Sequence, residues 1–174
     1  VIKTAQDMGI KTELRDAPSL PLGASDVNLT DLVGAYASVA NCGEHNSPYT
    51  IEKIEDSDGK VVYEHHRDVH TVLNPQEAYY MQALLNASVS DAGGTSQSLV
   101  SPSYIGQWYW NKSLDVGGKT GTSNSHADAW FVGVTPKLVG GAWVGGEYRQ
   151  IHFRSGALGQ GSRTALPIFG SVSY

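Results

Sequence analysis

The sequence predicts a single domain of mixed α/β organisation, of the α+β type, with an antiparallel sheet flanked by helices. Helix-like periodicity dominates before residue 90, and three strand-like segments follow between residues 115 and 146. The 20 glycines among 174 residues argue against a helical bundle, because glycine destabilises helix interiors. With 40% hydrophobic and 17% charged residues, the chain can build one core.

Two helices are predicted in the first quarter of the chain. Residues 1–9 carry most of their apolar side chains on one helical face. After a loop punctuated by prolines, residues 31–42 repeat an apolar stripe at helical spacing. Thr30 stands in the N-cap position of this second helix, and Gly43 stands where a helix ends.

A β-hairpin and a third helix are predicted next. Polarity alternates through residues 49–66 around Asp58-Gly59, a pair that is typical of tight hairpin turns. Asn74 and Pro75 provide an N-cap and a first helical residue, which predicts a helix that continues to residue 89.

The C-terminal half predicts the sheet. An irregular stretch, residues 91–114, precedes three segments that read as strands, at 115–122, 128–134 and 138–146. The last residues, "GSRTALPIFGSVSY", predict a helix capped at Ser162. No internal repeat interrupts this order.

Composition excludes several function classes. A net charge of -5 gives no electrostatic support for a nucleic-acid partner. No apolar run is long enough to span a membrane, and Cys42 is the single cysteine, so no internal disulfide forms. Three histidines lie close together in the sequence: His65, His66 and His70. They do not predict a metal site, because adjacent side chains of an extended segment point to opposite faces.

The segment "GGKTGTSNSHADAWFVG", residues 117–133, looks at first like a phosphate-binding loop. A Walker A loop requires a glycine at position 113, where Ser113 stands, and a helix after the lysine. The residues after Lys119 instead read as a turn and a strand. The sequence therefore excludes a nucleotide cradle.

A carboxylate site on a strand fits the same residues better. If the strand borders a cleft, Lys119 supplies a cation, and Thr120 and Thr122 supply hydroxyls that bind a carboxylate. Gly121 lets a peptide-like substrate approach the backbone, and the Thr122 N–H can serve as an oxyanion-hole donor during acyl transfer. A lysine on a glycine-rich strand also has a purely structural interpretation.

Three longer segments carry a family resemblance: "GGKTGTSNSHADAWFVGVTPKLVGGAWVGG", "PSLPLGASDVNLTDLVGAYASVANCG" and "ALGQGSRTALPIF". In this order they resemble the C-terminal part of the transpeptidase domain of class A, bifunctional, penicillin-binding proteins. The resemblance implies a β-lactamase/transpeptidase-like fold that is incomplete at its N-terminal side. It covers residues 1–174, with residues 1–114 mainly helical around a hairpin near 50–65, and residues 115–174 holding the lysine strand, two more strands and a closing helix.

The resemblance also implies a function and a site. The family cross-links peptidoglycan: a serine attacks a D-Ala-D-Ala stem peptide, releases D-alanine and passes the acyl group to an amine, and β-lactam antibiotics trap the acyl-enzyme. Lys119, Thr120 and Gly121 match its K-T-G motif, with Thr120 and Thr122 binding the substrate carboxylate. Stem peptides, lipid-linked precursors and β-lactams are the expected partners, with no metal and no cofactor. The expected location is the periplasmic side of a bacterial inner membrane, with attachment through a region upstream of this chain.

The family's other two motifs, S-x-x-K and S-x-N, are not matched on a helix. S-x-x-K occurs once, at Ser57 and Lys60, in the predicted hairpin turn, and S-x-N does not occur. We therefore expect the nucleophile and its lysine to lie upstream of Val1, and this chain to be inactive alone. The strand 138–146 would then have an unpaired edge, which we expect to be covered by self-association, by domain swapping or by a displaced segment.

Two alternatives remain open at this point: a D,D-carboxypeptidase or other hydrolase of the same superfamily, and a non-catalytic peptide-binding module. A β-lactamase is disfavoured, because no segment matches a water-activating glutamate loop. Structural or surface roles are expected for the other polar and aromatic residues near the motif: Trp108, Trp110, His126, Asp128, Trp130, Arg154, Ser155 and Arg163.

Overall fold

A computed structural model describes residues 1–100 and 115–172. Its α-helices are α1 (Ile2–Asp7), α2 (Leu29–Ala40), α3 (Pro75–Ser90), α4 (Gly156–Gly159) and α5 (Ala165–Val172). Its strands are β1 (Glu44–Asn46), β2 (Lys53–Glu55), β3 (Val61–Glu64), β4 (Val69–Thr71), β5 (Gly117–Thr122), β6 (Asp128–Val134) and β7 (Val139–Gly145). None of the helices in these ranges has the length and apolarity that a bilayer crossing requires.

The central sheet contains the three strands predicted in the C-terminal half. They run antiparallel in the order β5-β6-β7. Lys119 lies opposite Val132, and Trp130 lies opposite Trp143. The central strand β6 is the most buried of the three, as expected for a strand that has a neighbour on each side.

Helices cover both faces of this sheet, as the α+β prediction required. On one face, the Phe169 ring of α5 packs against Phe131, with ring centroids 5.2 Å apart. On the other face, a Cβ at Gly141 would lie 2.6 Å from Val33 Cγ2 of α2. Phe131 is completely buried, so its truncation to alanine would cost about 3–5 kcal/mol of folding free energy.

The helix starts differ in part from the prediction. Asn28, not Thr30, caps α2, because its Oδ1 accepts a hydrogen bond from the Thr30 N–H over 2.8 Å. α3 begins as predicted, and Asn74 and Glu77 form a reciprocal capping box. The C-terminal helix begins at Ala165 rather than after a Ser162 cap, so that prediction was wrong.

Among the short strands, the predicted hairpin is present, and a second strand pair is present that was not predicted. The hairpin forms around Asp58-Gly59 from β2 and β3, and all seven strand residues are exposed. The pairing of β1 with β4 was not predicted from the sequence. Each of these strands has three residues, too few to establish an alternating pattern.

Candidate active site

The lysine motif lies on an exposed strand. Lys119 is exposed in the middle of β5, and its Nζ donates a hydrogen bond to the Thr120 carbonyl oxygen over 2.8 Å. No helix begins at residues 117–122, so the backbone there does not form the phosphate-binding helix N-terminus of a nucleotide site. The ammonium is accessible, with two of its three N–H donors available for other acceptors.

The backbone N–H and C=O groups of Thr120 and Thr122 face away from β6. At one end of β5, the Gly118 carbonyl accepts a hydrogen bond from Ser88 Oγ of α3; just beyond the other end, the Ser123 N–H donates to the Asp128 carbonyl of β6. The N–H and C=O of successive residues point to alternate sides of a strand, so Gly118, Thr120 and Thr122 present theirs to the outer edge. No strand within residues 1–100 and 115–172 pairs with this edge.

The two threonine hydroxyls have different partners. Thr120 Oγ1 donates to Thr95 Oγ1 over 2.9 Å. Thr122 Oγ1 accepts a hydrogen bond from the Gly161 N–H over 3.1 Å. A hydroxyl that accepts still has its own proton to donate, so Thr122 retains a donor for a ligand.

Gly121 is half-buried, with Trp130 and Gly161 close to it. A Cβ at this position would lie 3.1 Å from the Trp130 Cβ, and a Cβ at Gly161 would lie 2.5 Å from the Gly121 carbonyl oxygen. The missing Cβ at Gly121 therefore allows close packing against β6, and the missing Cβ at Gly161 allows that residue to approach the motif. The role predicted for Gly121, close approach of a substrate, remains a proposal.

Asp128 closes the loop that follows the motif. Its carboxylate accepts hydrogen bonds from Ser123 Oγ over 2.9 Å and from Trp143 Nε1 over 3.1 Å. The Asp128 N–H in turn donates to Ser123 Oγ over 2.8 Å. The sequence predicted a supporting role for Asp128 and Trp130, and both lie on β6 beside β5.

His126 lies in this loop, and its buried Nδ1 has no hydrogen-bond partner among the described residues. It adopts a positive φ of 58°, and its carbonyl accepts from the Phe153 N–H over 3.3 Å. Arg154 and Arg163 are exposed, and Ser155 precedes α4. The predicted aromatic pair Trp108 and Trp110 lies outside the described residues.

The single S-x-x-K match is not a catalytic pair. Ser57 and Lys60 lie in the exposed turn between β2 and β3. In that turn, Asp56 Oδ1 accepts from the N–H groups of Asp58 and Lys60 over 3.0 and 2.9 Å. A turn of this kind does not place the serine and the lysine one helical turn apart, as proton transfer between them requires.

A buried serine–histidine contact escaped the sequence analysis. Ser38 Oγ of α2 lies 2.8 Å from His45 Nδ1 of β1, and the two side chains are 1% and 2% exposed. Burial, followed by the positive potential of His70 and Lys11, lowers the pKa of His45. A substrate cannot reach this pair, so it belongs to the core rather than to a site.

One groove of the described structure lies away from the lysine strand. It has a volume of about 490 Å³ between α2, residues 46–49 and β7, and no residue of β5 lines it. Within residues 1–100 and 115–172, no group of three or more histidine, cysteine or acidic side chains is arranged to bind a metal ion.

Comparison with known proteins matches most of this chain to one family. The family model "Penicillin binding protein transpeptidase domain" matches residues 6–153. Penicillin-binding protein 1A of Rickettsia conorii is 32% identical over 180 aligned residues, which cover 97% of this chain but 22% of the relative. The chain thus spans about a fifth of that relative's length.

Solved structures share the fold. Penicillin-binding protein 1A from Haemophilus influenzae superposes with a TM-score of 0.81 at 24% identity, covering 97% of this chain and 29% of that one. The PonA1 protein from Mycobacterium tuberculosis, solved in complex with penicillin V, gives a TM-score of 0.72 at 20% identity, covering 97% and 48%.

Proposed function

Because the chain belongs to the penicillin-binding protein transpeptidase family, we propose that it supplies the K-T-G strand of a peptidoglycan D,D-transpeptidase. The main support is the geometry of β5, which holds an exposed ammonium, two hydroxyls and outward-facing N–H and C=O groups along an edge that no described strand pairs with. These groups suit a peptide that ends in a carboxylate.

Each group has a role in this proposal. Lys119, Thr120 and Thr122 bind the terminal carboxylate of the D-Ala-D-Ala donor, with the ammonium contributing charge and the hydroxyls contributing direction. The outward Thr122 N–H donates to the oxygen of the scissile carbonyl as it becomes an oxyanion. Gly121 has no side chain, so the substrate can approach the backbone between these two contacts.

The attacking serine comes from another part of the protein. The serine of the single S-x-x-K match lies in an exposed turn, and S-x-N is absent from the sequence. We therefore assign the nucleophile, its lysine base and the S-x-N motif to residues outside this chain. The serine oxygen bonds to the donor carbonyl carbon, D-alanine leaves with a proton, and an amine of a neighbouring stem peptide takes the acyl group. This chain alone is expected to be inactive.

The substrates, the inhibitors and the cellular location follow from the same proposed reaction. Stem peptides and lipid-linked precursors are the substrates, and β-lactams bind by imitating the donor. The full-length protein acts on the periplasmic side of the bacterial inner membrane. The reaction requires no metal ion and no organic cofactor, because serine, lysine and backbone donors supply the chemistry.

Covalent labelling with a fluorescent penicillin tests the proposal. We expect the full-length protein to be labelled and the isolated chain to remain unlabelled. Lys119→Ala in the full-length protein should slow acylation by about a hundredfold, the usual effect of losing a positioned electrostatic contact. Lys137→Ala, at an exposed lysine in the turn after β6, is the matched control. Labelling of the isolated chain at Ser57, or unchanged acylation of Lys119→Ala, would refute the proposal.

A D,D-carboxypeptidase shares the acylation step and differs in what removes the acyl group. β5 serves both reactions, because its groups act before water or an amine attacks the acyl-enzyme. Incubating the full-length protein with a stem pentapeptide, with and without an acceptor amine, separates them. Cross-linked product supports the transpeptidase, and free tetrapeptide as the sole product supports the carboxypeptidase.

A further inference from the structure

A second threonine meets the hydroxyl of the K-T-G motif. Thr95 lies 25 residues before Thr120, in the turn after α3, and the two Oγ1 atoms are 2.9 Å apart. Given the proposed function, on which this inference rests, we propose that Thr95 is a positioning residue that orients the Thr120 hydroxyl toward the substrate carboxylate.

The backbone on both sides of Thr95 is fixed to the end of α3. Gly93 adopts a φ of 88°, and the Gly94 N–H donates to the Asp91 carbonyl over 3.0 Å. On the other side, the N–H of the fully buried Ser96 donates to the Ser88 carbonyl over 2.9 Å. A side chain at Gly94 would collide with the Ser88 carbonyl oxygen, so the turn can pass this closely only with glycine.

The same end of α3 is attached to β5. Ser88 Oγ donates to the Gly118 carbonyl over 2.5 Å, two residues before Thr120. A Cβ at Gly117 would lie 2.7 Å from the Asn86 N, so helix and strand are in direct contact there. Thr95 and Thr120 are therefore held by one local unit, and the contact between them does not depend on a long flexible segment.

The direction of the hydrogen bond can reverse when a ligand arrives. Each hydroxyl has one proton and can both donate and accept. In the structure Thr120 donates to Thr95. When a carboxylate binds, Thr95 can donate to Thr120, which frees the Thr120 proton for the carboxylate. Hydrogen bonds in such a chain polarise one another, so the Thr120 donor becomes stronger.

Acylation kinetics of the full-length protein with a penicillin test this role. Thr95→Val keeps the shape of the side chain but removes its hydroxyl, and Thr95→Ser keeps the hydroxyl. We expect Thr95→Val to weaken the initial non-covalent complex by about three- to tenfold, the usual effect of one hydrogen bond. The limiting acylation rate should stay within about twofold, because the carboxylate is bound both before and during the reaction. Thr95→Ser should restore wild-type affinity.

Other results of these measurements would overturn either the positioning role of Thr95 or the proposed function. Unchanged affinity in Thr95→Val, or a loss that Thr95→Ser does not restore, would overturn the inference. If valine disturbs the turn, seen as a lower melting temperature, Thr95→Ala repeats the test without branching. Thr120→Val is measured in parallel: if it has no effect on acylation, the proposed function of the K-T-G strand fails. If Thr120→Val impairs acylation while Thr95→Val leaves the affinity of the initial complex unchanged, the positioning role alone fails.

Discussion

Replacing Gly161 with alanine tests whether the chain beside the K-T-G strand holds Thr122 in place. A Cβ at 161 would lie 2.5 Å from the Gly121 carbonyl oxygen and would overlap the Trp130 carbonyl oxygen. Gly121 and Trp130 are register partners in β5 and β6, so neither carbonyl can rotate away. Overpacking against fixed atoms costs about 1–3 kcal/mol. For a chain of this size, that lowers the melting temperature by about 2–12 °C.

The steric clash at residue 161 should also displace Thr122. The Gly161 N–H donates to Thr122 Oγ1 over 3.1 Å, and the added methyl group forces these atoms apart. Because small misplacements at a reacting centre have large kinetic effects, penicillin acylation of full-length Gly161→Ala should fall by about tenfold or more. Thermal denaturation followed by circular dichroism and stopped-flow labelling measure the two effects.

Gly156→Ala is the matched control for this experiment. A Cβ at Gly156 would lie 3.2 Å from Gln160 Nε2, the end of a flexible side chain that can move. We expect a stability change within about 0.5 kcal/mol and unchanged acylation. If Gly161→Ala matched wild type in both measurements, the close contact would not constrain Thr122, and the reasoning would be refuted.

Three further predictions follow from other contacts. Burial lowers the pKa of His45 in the folded state, so the unfolded chain binds a proton at this residue more readily. The free energy of unfolding should therefore be highest above about pH 6.5 and decrease as the pH falls below that value, by at most about 1.4 kcal/mol per pH unit. Urea denaturation of wild type, His45→Gln and the exposed control His66→Gln checks this; parallel profiles for wild type and His45→Gln would contradict it. Asp128→Ala should destabilise the chain by about 2–3 kcal/mol, because Ser123 and Trp143 lose a charged acceptor; a loss below about 1 kcal/mol in urea denaturation would count against it. The isolated chain should self-associate through β7, whose sole described neighbour is β6, and light scattering that shows a monomer over a wide concentration range would exclude this.

Local signals in the sequence predicted the elements that carry the motif. The bounds of β6, 128–134, were predicted in full, because an apolar run bounded by turn residues marks a buried strand. Asn74-Pro75 predicted the start of α3, since capping involves residues three apart. The exposed position of Lys119 followed from placing K-T-G on a strand rather than in a phosphate loop.

Contacts between distant residues could not be predicted in this way. Residues 91–100 looked irregular, yet Gly93 and Gly94 shape the turn that brings Thr95 to Thr120. Ser162 resembled a helix cap, but the preceding residue bonds to Thr122 and holds that segment in a turn, so the helix begins later. Tertiary contacts of this kind override local propensity.

The outer edge of β5, which no strand among the described residues pairs with, can be protected from other chains and still be available to a ligand. Free strand edges tend to recruit other chains, and proteins limit them with charges or covering helices. Here α3 covers one end through Ser88, and the Lys119 ammonium bonds to the outward carbonyl of Thr120. Under the proposed function, the open part of the edge is therefore short and cationic. It suits an extended peptide that ends in a carboxylate rather than a second neutral strand. A ligand carboxylate that attracts the ammonium would uncover the Thr120 carbonyl, so charge binding and backbone pairing would assist each other.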